Sequence, residues 1–346
     1  MFNSALREFT LVIPGLLWPA DSLAAACGNL PLPALEALLA HGAANTLPPA
    51  TLEETLAGLY GLPADNAPYA ALRVAGSGCD PGDASWMCAD PVHLRFARET
   101  LVLTDNHELE ITNDEAAQLV AALNDSFADI GEFAVASPGE WNLRLKRSPQ
   151  VVTHPLAQVL GRNIEPFLPS GADGAEWRRT INEMQMLLHT HPVNEAREAA
   201  GRPVINSLWP WGAGSQPAGI EAPYAGVFAD ATLARGLARV SGSSCATLPA
   251  SLPQSSADTV LAVLDQLHYP ALALNIEAWR AELKQLETAW FWPLLDALRR
   301  RQFSHLRLCL VGDSACIDLR CGNAGWWKFW RRPLPLEAFV RGIAAP

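Results

Sequence analysis

Two closely spaced histidines are the first candidates for chemistry in this sequence. His189 and His191 stand two residues apart at the start of HTHPVNEAREAAGRPVINSLWPWGAG, residues 189–214. Such a pair could ligate a metal ion, but the spacing does not supply the further ligands that a metal site needs. The interpretation we favour is that His191-Pro192 ends a helix and that the imidazole makes a structural hydrogen bond.

The second half of the same stretch combines aromatic residues with glycines. Trp209 and Trp211 are followed by Gly212 and Gly214. This combination is typical of a pocket lining, but also of a strand end packed against a neighbouring domain. The sequence leaves both alternatives open.

Two single polar residues flank predicted elements. Asp313 follows LRLCLV, residues 306–311, which is a predicted buried strand. Because α/β sheets present ligands at the carboxyl ends of their strands, Asp313 could be functional, or it could cap the following turn. Thr51 precedes a predicted helix at residues 52–61 and is suited to N-capping it.

The elements that position these residues fall into two patterns. Further strands are predicted at 9–17, 204–209 and 269–274, and further helices at 33–41, 232–240 and 277–301, the last kinked at Pro293. Between them come strands at 92–95, 100–104 and 141–146 and helices at 112–123 and 177–189, with Thr112 and Glu115 as a capping box. The pattern predicts an α/β core with a mostly parallel sheet, residues 1–77 and 199–346, and an inserted smaller α+β domain, residues 78–198.

The composition narrows the class of protein. The chain has 346 residues, 49% of them hydrophobic, and a formal net charge of -11. That length favours two domains, and the negative charge argues against nucleic acid as a partner. Seven scattered cysteines without a CxxC pair indicate free thiols in a reducing compartment.

The N-terminus superficially resembles a signal peptide. Glu8 before the apolar run and Asp21 before Cys27 argue against export. No other stretch is long and apolar enough to span a bilayer, so we expect a cytoplasmic protein without a membrane partner.

The motifs together resemble a known family. HPVN, then Arg197, then GRPVIN and WPWGAG are similar to the run that joins the inserted domain to the core in archaeal-type cofactor-independent phosphoglycerate mutases of the alkaline phosphatase superfamily. Weaker similarity follows the same order along nearly the whole chain, in ADPVHLRFARETLVLTDNHELEITNDEAA, YAGVFADATLARGLARVSG and TLEETLAGLYGL. Within the superfamily, the chain looks most like bacterial regulatory proteins of the RpfE type. The resemblance implies a core of alkaline-phosphatase type.

Departures from the family pattern concern its metal and nucleophile positions. The family uses two divalent metal ions, held by Asp and His, to activate a serine that takes and returns a phosphoryl group. Here Pro14 stands where the first strand should end in Asp-Gly, and the nucleophile segment has no serine. Thr51 could substitute for the serine, but we favour N-capping.

The remaining metal positions are also altered. Asn275-Ile276-Glu277 replaces an expected Asp/His pair, and the Asp-His after the penultimate strand survives as Asp313-Ser314. Asp313 is thus a remnant ligand, and we expect no metal cofactor.

The substrate side of the pattern is better retained. The resemblance implies substrate binding by six residues, namely Arg95, Arg144, His191, Asn194, Arg197 and Arg202. Arginine suits this role because its planar fork binds phosphate or carboxylate bidentately. The alternative is that some of the arginines pair with Asp or Glu across the domain interface.

These observations favour a catalytically degenerate, regulatory protein that binds a phosphorylated metabolite or a protein partner between core and inserted domain. The alternative is an active Mn²⁺- or Mg²⁺-dependent phosphomutase or phosphatase with an unusual ligand set, His189, His191, Asp313 and Asp318. A third hypothesis is an interaction module whose tryptophan-rich segments, residues 290–292 and 326–330, contact a partner.

Overall fold

The computed structural model describes residues 6–19, 22–97, 99–104, 109–254, 257–312, 314–322 and 332–344. The chain forms two compact units, one of Met1–Gly61 with Ile220–Pro346 and one of Leu62–Gly219. The sequence analysis placed the boundaries at 77/78 and 198/199 instead. The difference arises because residues 69–76 and 207–214 pack with the sheet of the second unit.

The first unit contains a seven-stranded sheet in the order β2-β12-β11-β1-β10-β8-β9. Its strands are β1 (Leu6–Pro14), β2 (Ala43–Leu47), β8 (Gly226–Phe228), β9 (Ser244–Ala246), β10 (Thr259–Val263), β11 (Phe303–Val311) and β12 (Cys316–Gly322). β11, β1, β10, β8 and β9 run parallel, whereas β12 is antiparallel to both β11 and β2. The predicted α/β class with a mostly parallel sheet is confirmed.

Helices flank this sheet and bury its apolar side chains. They are α1 (Leu23–Cys27), α2 (Pro33–His41), α3 (Leu52–Leu59), α9 (Thr232–Ser241), α10 (His268–Leu272), α11 (Ile276–Leu286), α12 (Trp292–Arg299) and α13 (Leu336–Ala344). Alternate residues of β1, namely Phe9, Leu11 and Ile13, belong to the core cluster. The apolar run at the start of the sequence is therefore a central strand, as predicted.

The predicted strand at residues 269–274 is wrong. The strand is β10, and the segment after it folds into α10. Pro270 has no backbone N–H to donate to a sheet, so it suits the first turn of a short helix better than a central strand. The apolar run of β10 was the missed signal.

The predicted long helix at 277–301 is interrupted in a specific way. A π-helical segment, Glu287–Phe291, separates α11 from α12 just before Pro293. It directs the buried Glu287 carboxylate at the start of α2, where the carboxylate accepts hydrogen bonds from the N–H groups of Ala34 (2.6 Å) and Leu35 (3.1 Å). These donors have no partner within their own helix, so Glu287 fixes where α2 begins.

The second unit is built on antiparallel strands in the order β4-β3-β6-β5, and β7 also pairs with β3. The strands are β3 (Ser85–Ala97), β4 (Thr100–Thr104), β5 (Gly131–Ser137), β6 (Glu140–Leu145) and β7 (Ser207–Gly214). The helices are α4 (Tyr69–Gly76), α5 (Asn113–Ser126), α6 (Leu156–Val159), α7 (Gly174–His189) and α8 (Pro192–Ala199). This mixture of helices and an antiparallel sheet is the α+β arrangement that the sequence predicted.

The predicted capping box at the start of α5 is confirmed, because Thr112 and Glu115 exchange side-chain and backbone hydrogen bonds. All seven cysteines are free thiols, as predicted. Among the described helices, none combines the length and apolarity needed to cross a membrane.

Candidate functional site

The carboxyl end of β1 is the place where the resemblance puts a metal ligand. Pro14 is buried and pairs with Val311 of β11. The Gly15 carbonyl accepts a hydrogen bond of 2.7 Å from the Trp279 indole, and the Trp279 ring lies 5.2 Å from that of Trp18. The end of the strand is therefore occupied by apolar and aromatic side chains.

Gly15 shows how tightly this position is packed. Its φ is +79°, and a Cβ added there would lie 2.4 Å from the Leu267 carbonyl oxygen. No side chain fits at this position without displacing the backbone after β10. Pro14 and Gly15 thus offer no side-chain donor atom to a divalent cation, and the Gly15 carbonyl is already hydrogen-bonded to Trp279.

Two carboxylates that the sequence analysis did not single out follow neighbouring strands. Asp230 comes after β8 and Asp265 after β10. Burial raises the pKa of Asp265, and the nearby Asp230 carboxylate raises it further. The sequence analysis predicted the strand at 269–274 and therefore did not recognise Asp265 as a residue that follows a strand. Within the described part of the chain, no three or more His, Cys, Asp or Glu side chains converge as a metal site would require.

Thr51 occupies the N-cap of α3. Its hydroxyl accepts a hydrogen bond from the Glu54 N–H (3.2 Å), and the Glu54 carboxylate accepts one from the Thr51 N–H (2.7 Å). The N-capping interpretation is confirmed, and this reciprocal pair gives the residue a structural role.

His191 and Asn194 lie in the joint between α7 and β7. His191 caps α8 through Nδ1, which accepts from the Val193 N–H at 3.2 Å, so the structural hydrogen bond that we favoured is present. Burial lowers the pKa of His191. Asn194 is buried and exchanges hydrogen bonds of 2.8 Å with the N–H and carbonyl of Ile205 and with the Leu188 carbonyl.

Arg197 and Arg202 share one carboxylate. The buried Arg197 donates to Glu115 at 3.0 Å and to the carbonyls of Pro203 and Leu109. The more exposed Arg202 donates to Glu115 at 3.2 Å. Burial alone would raise the pKa of Glu115, but hydrogen bonds from Thr112 and Arg197 outweigh it and hold the pKa below its ordinary value. Both arginines thus pair with an acidic residue of their own unit.

Arg95 and Arg144 lie elsewhere on the second unit, and both are exposed. Arg144 pairs in register with Trp86, nine residues before Arg95 on β3, which separates the two arginines by about 30 Å. Side chains alternate along a strand, so the two also project from opposite faces. The four arginines are therefore not brought together at one anion site.

Arg144 borders a groove of about 340 Å³ on the second unit, lined among others by Trp86, Asp83 and Glu132. Glu132 stands opposite Arg144 in the β5–β6 pairing. Within the described residues, neither Arg144 nor Arg95 forms a salt bridge. Arg144 is thus a predicted binding arginine that borders a groove and forms no salt bridge within the part of the chain that the structure describes.

The tryptophans of WPWGAG are packed and hydrogen-bonded inside the second unit. The Trp209 indole donates to the His154 carbonyl at 2.8 Å, and the Trp211 indole donates to Asp90 at 2.7 Å. Asp90 also receives two hydrogen bonds of 2.8 Å from Arg73, whose guanidinium lies over the Trp211 ring. The sequence signal that could have identified this buried pair is a single charged residue within each of two apolar runs, Arg73 in one and Asp90 in the other.

Two members of the alternative metal-ligand set belong to different units of the chain. His189 is exposed in the last turn of α7 in the second unit, and Asp318 lies on β12 in the first. Burial alone would raise the pKa of Asp318, but hydrogen bonds from Arg307 and Arg320 lower it below its ordinary value. Asp313 lies outside the described residues.

The sequence of this chain is similar to known proteins over part of its length. No protein-family profile matches the chain. The chain is 38% identical over 63 residues to the 2,3-bisphosphoglycerate-independent phosphoglycerate mutase of Methanosarcina barkeri, a match of 18% of this chain and 16% of that protein. It is 28% identical over 151 residues to the corresponding mutase 2 of Methanothermobacter thermautotrophicus, covering 42% and 36% of the two chains.

A probable mutase of the same kind from Geobacter sulfurreducens is 27% identical over 128 residues, 36% of this chain and 32% of that one. The matches thus span about a third or less of the relatives' lengths.

Among solved structures, the PH0037 protein of Pyrococcus horikoshii aligns with a TM-score of 0.58 at 14% identity, covering 96% of this chain and 92% of that one. The cofactor-independent phosphoglycerate mutase of Thermoplasma acidophilum aligns over 97% of this chain and 94% of its own, with a TM-score of 0.46 and 17% identity. The curated relatives that this chain matches over part of their length are thus 2,3-bisphosphoglycerate-independent phosphoglycerate mutases.

Proposed function

We propose that the chain is a phosphoglycerate mutase-like protein that does not transfer a phosphoryl group and instead acts, in the bacterial cytoplasm, as a regulatory binding protein of the RpfE type. The observation that carries this proposal is the packing at the end of β1. Pro14 and Gly15 provide no metal ligand, and the Trp279 indole and the Leu267 carbonyl fill the space beside them.

The hydrogen bonds of the Thr51 hydroxyl support the same proposal. A nucleophile needs an activated oxygen whose approach to substrate is open. The Thr51 hydroxyl instead takes part in a capping box with Glu54.

For the ligand, we propose a phosphorylated three-carbon acid bound in the Arg144 groove. The exposed guanidinium forms no salt bridge among the described residues, and the carboxylates of Asp80, Asp83 and Glu132 also line the groove. The guanidinium can therefore accept an external phosphate or carboxylate bidentately, which the engaged Arg197 cannot do without losing its own partners.

Thermal unfolding with added 3-phosphoglycerate tests the ligand. We expect binding to raise the melting temperature of the wild-type protein, because a ligand that binds only the folded state stabilises it. Arg144→Ala should abolish the shift. Arg95→Ala is the matched control, since Arg95 is also an exposed arginine on the same sheet but lies about 30 Å away. Equal shifts in both variants, or none in the wild type, would contradict the Arg144 groove as the site.

Metal analysis tests the loss of catalysis separately. We expect no stoichiometric Mn²⁺ or Mg²⁺ in the purified protein and no mutase activity with added Mn²⁺. Stoichiometric metal together with turnover that Asp313→Ala abolishes would establish the alternative, an active metal-dependent enzyme.

A protein partner is the other ligand class that we propose for this chain. The aromatic segment at 290–292 contributes little surface, because Trp290 and Phe291 are buried and only Trp292, at 44%, is exposed. The segment at 326–330 lies outside the described residues. A partner interaction through that segment stays a prediction.

A further inference from the structure

A larger groove on the second unit adjoins the one beside Arg144. The two grooves, of about 340 Å³ and about 670 Å³, share Ala84, Glu132 and Arg144 in their linings. Lys146 lines the larger groove, and its N–H donates a hydrogen bond of 3.0 Å to the Ile130 carbonyl just beyond the end of β6. The two grooves are therefore parts of one continuous depression, with Arg144 between its two ends.

Charged side chains are divided unevenly along this depression. Asp80 and Asp83 line the smaller groove but not the larger one, whereas Lys146 lines the larger groove but not the smaller one. Glu132 and Arg144 line both grooves and stand opposite each other in the β5–β6 pairing. All five residues are exposed, and within the described residues none of them forms a salt bridge. The depression thus has an acidic end, at Asp80 and Asp83, and a basic end, at Arg144 and Lys146.

The loop that forms the acidic end, residues 80–84, is anchored to the sheet. The Trp86 indole N–H donates a hydrogen bond of 2.9 Å to the Pro81 carbonyl. Within the loop, the Asp80 carboxylate accepts a hydrogen bond of 3.0 Å from the backbone N–H two residues later. Trp86 lies on β3 in register with Arg144. The acidic end therefore has a fixed place relative to Arg144, as a site for a ligand with two kinds of charge requires.

This division of charge decides which ligand fits the depression best. The basic end suits a phosphate, which Arg144 can bind bidentately and Lys146 as a point charge. At the acidic end, a second anionic group would meet the like charges of Asp80 and Asp83, and such a juxtaposition is unfavourable. An ammonium group is favoured there by the same carboxylates, and the aromatic ring of Trp86, which lines that end, is also a suitable neighbour for a cation. The lining thus attracts one class of ligand and repels another, which is how a site becomes specific.

Resting on the function proposed above for the Arg144 groove, we propose that its preferred ligand is a phosphorylated three-carbon acid that also carries an amino group. The phosphate binds between Arg144 and Lys146, and the ammonium group faces Asp80 and Asp83. Lys146 is then a second phosphate-binding residue. Asp83 is a specificity-determining residue, because its carboxylate favours the amino acid over the corresponding hydroxy acid.

Calorimetric titration of the full chain with two matched compounds tests this preference. O-phosphoserine and 3-phosphoglycerate have the same carbon chain, phosphate and carboxylate, and they differ in an ammonium group in place of a hydroxyl. We expect the wild-type protein to bind O-phosphoserine about tenfold more tightly, because the ammonium group gains exposed pairings with two carboxylates that the hydroxyl cannot make.

Two variants separate the ends of the depression. Asp83→Asn removes one carboxylate from the acidic end and should reduce the preference for O-phosphoserine to about threefold or less. Lys146→Gln removes a cation from the basic end and should weaken both compounds by a similar factor, leaving their ratio unchanged. Glu198→Gln is the matched control for the loss of one exposed carboxylate, because Glu198 lies on α8 and lines neither groove. It should leave both dissociation constants as they are in the wild type.

The possible failures are distinguishable. Equal dissociation constants for the two compounds in the wild type, or a preference that Asp83→Asn leaves intact, would overturn the amino-acid ligand while the Arg144 groove remains an anion site. Binding of neither compound, or binding that Arg144→Ala does not weaken, would overturn both this inference and the function on which it rests.

Discussion

The carboxyl end of β1 departs from the pattern that the resemblance implies, whereas the joint between α7 and β7 keeps the motifs of that pattern. At the end of β1, Pro14 and Gly15 stand where the resemblance places a metal ligand, and the Trp279 and Trp18 rings pack beside them. In the joint, HPVN and WPWG are present, and their polar atoms are hydrogen-bonded within the second unit. The difference teaches that the HPVN and WPWG motifs have a structural role, because their polar atoms are hydrogen-bonded within the second unit.

The largest expected effect comes from the buried ion pair that supports WPWG. Arg73→Met leaves the Asp90 carboxylate buried without its cation, since both side chains are only 4% exposed. We expect the free energy of unfolding to fall by about 3–5 kcal/mol, measured by denaturant titration. The double variant Arg73→Met with Asp90→Leu should recover part of this loss because no charge then remains buried. A loss below about 1 kcal/mol for the single variant would show that the joint does not depend on this pair.

Packing at the end of β1 predicts an intermediate effect. Gly15→Ala places a methyl group against the Leu267 carbonyl, in a backbone conformation that only glycine adopts freely. We expect a loss of about 2–4 kcal/mol in the free energy of unfolding.

Gly61→Ala is the control for the backbone conformation alone, because Gly61 also has a positive φ, +71°, but nothing lies within 4 Å of an added Cβ. It should cost about 1 kcal/mol. Similar losses in the two variants would mean that the end of β1 is not tightly packed.

The smallest effect concerns the pH dependence of the joint. His191 caps α8 as a neutral acceptor, and its pKa is lowered in the folded protein. The unfolded state therefore binds a proton first as the pH falls, so this contribution to stability is complete above pH about 6.5 and is lost below it.

His191→Asn keeps a capping acceptor that does not titrate. Unfolding titrations between pH 5 and pH 8 should show a smaller loss of stability toward acid for this variant than for the wild type. Identical pH profiles would show that protonation of His191 does not change the stability of the folded protein.

Several features could be predicted from the sequence because they depend on local interactions. The capping residues Thr51 and Thr112, the strand β1 and the helix α2 follow from residue types and spacing within a few positions. The His191 hydrogen bond belongs to the same class, since its partner is two residues away. β10 was missed even so, because a short apolar run does not by itself distinguish a strand from a neighbouring helix.

The partners of distant side chains were decided by the tertiary structure alone. Arg73 finds Asp90, Arg197 finds Glu115 and Glu287 finds α2 across 17, 82 and more than 250 residues. The sequence by itself determined that Pro14 has no side-chain donor atom and that Thr51 suits a helix N-cap, since both depend on chemical type. Which of the arginines stay open to a ligand depended on the fold, because a guanidinium is committed only when a distant carboxylate is brought within reach.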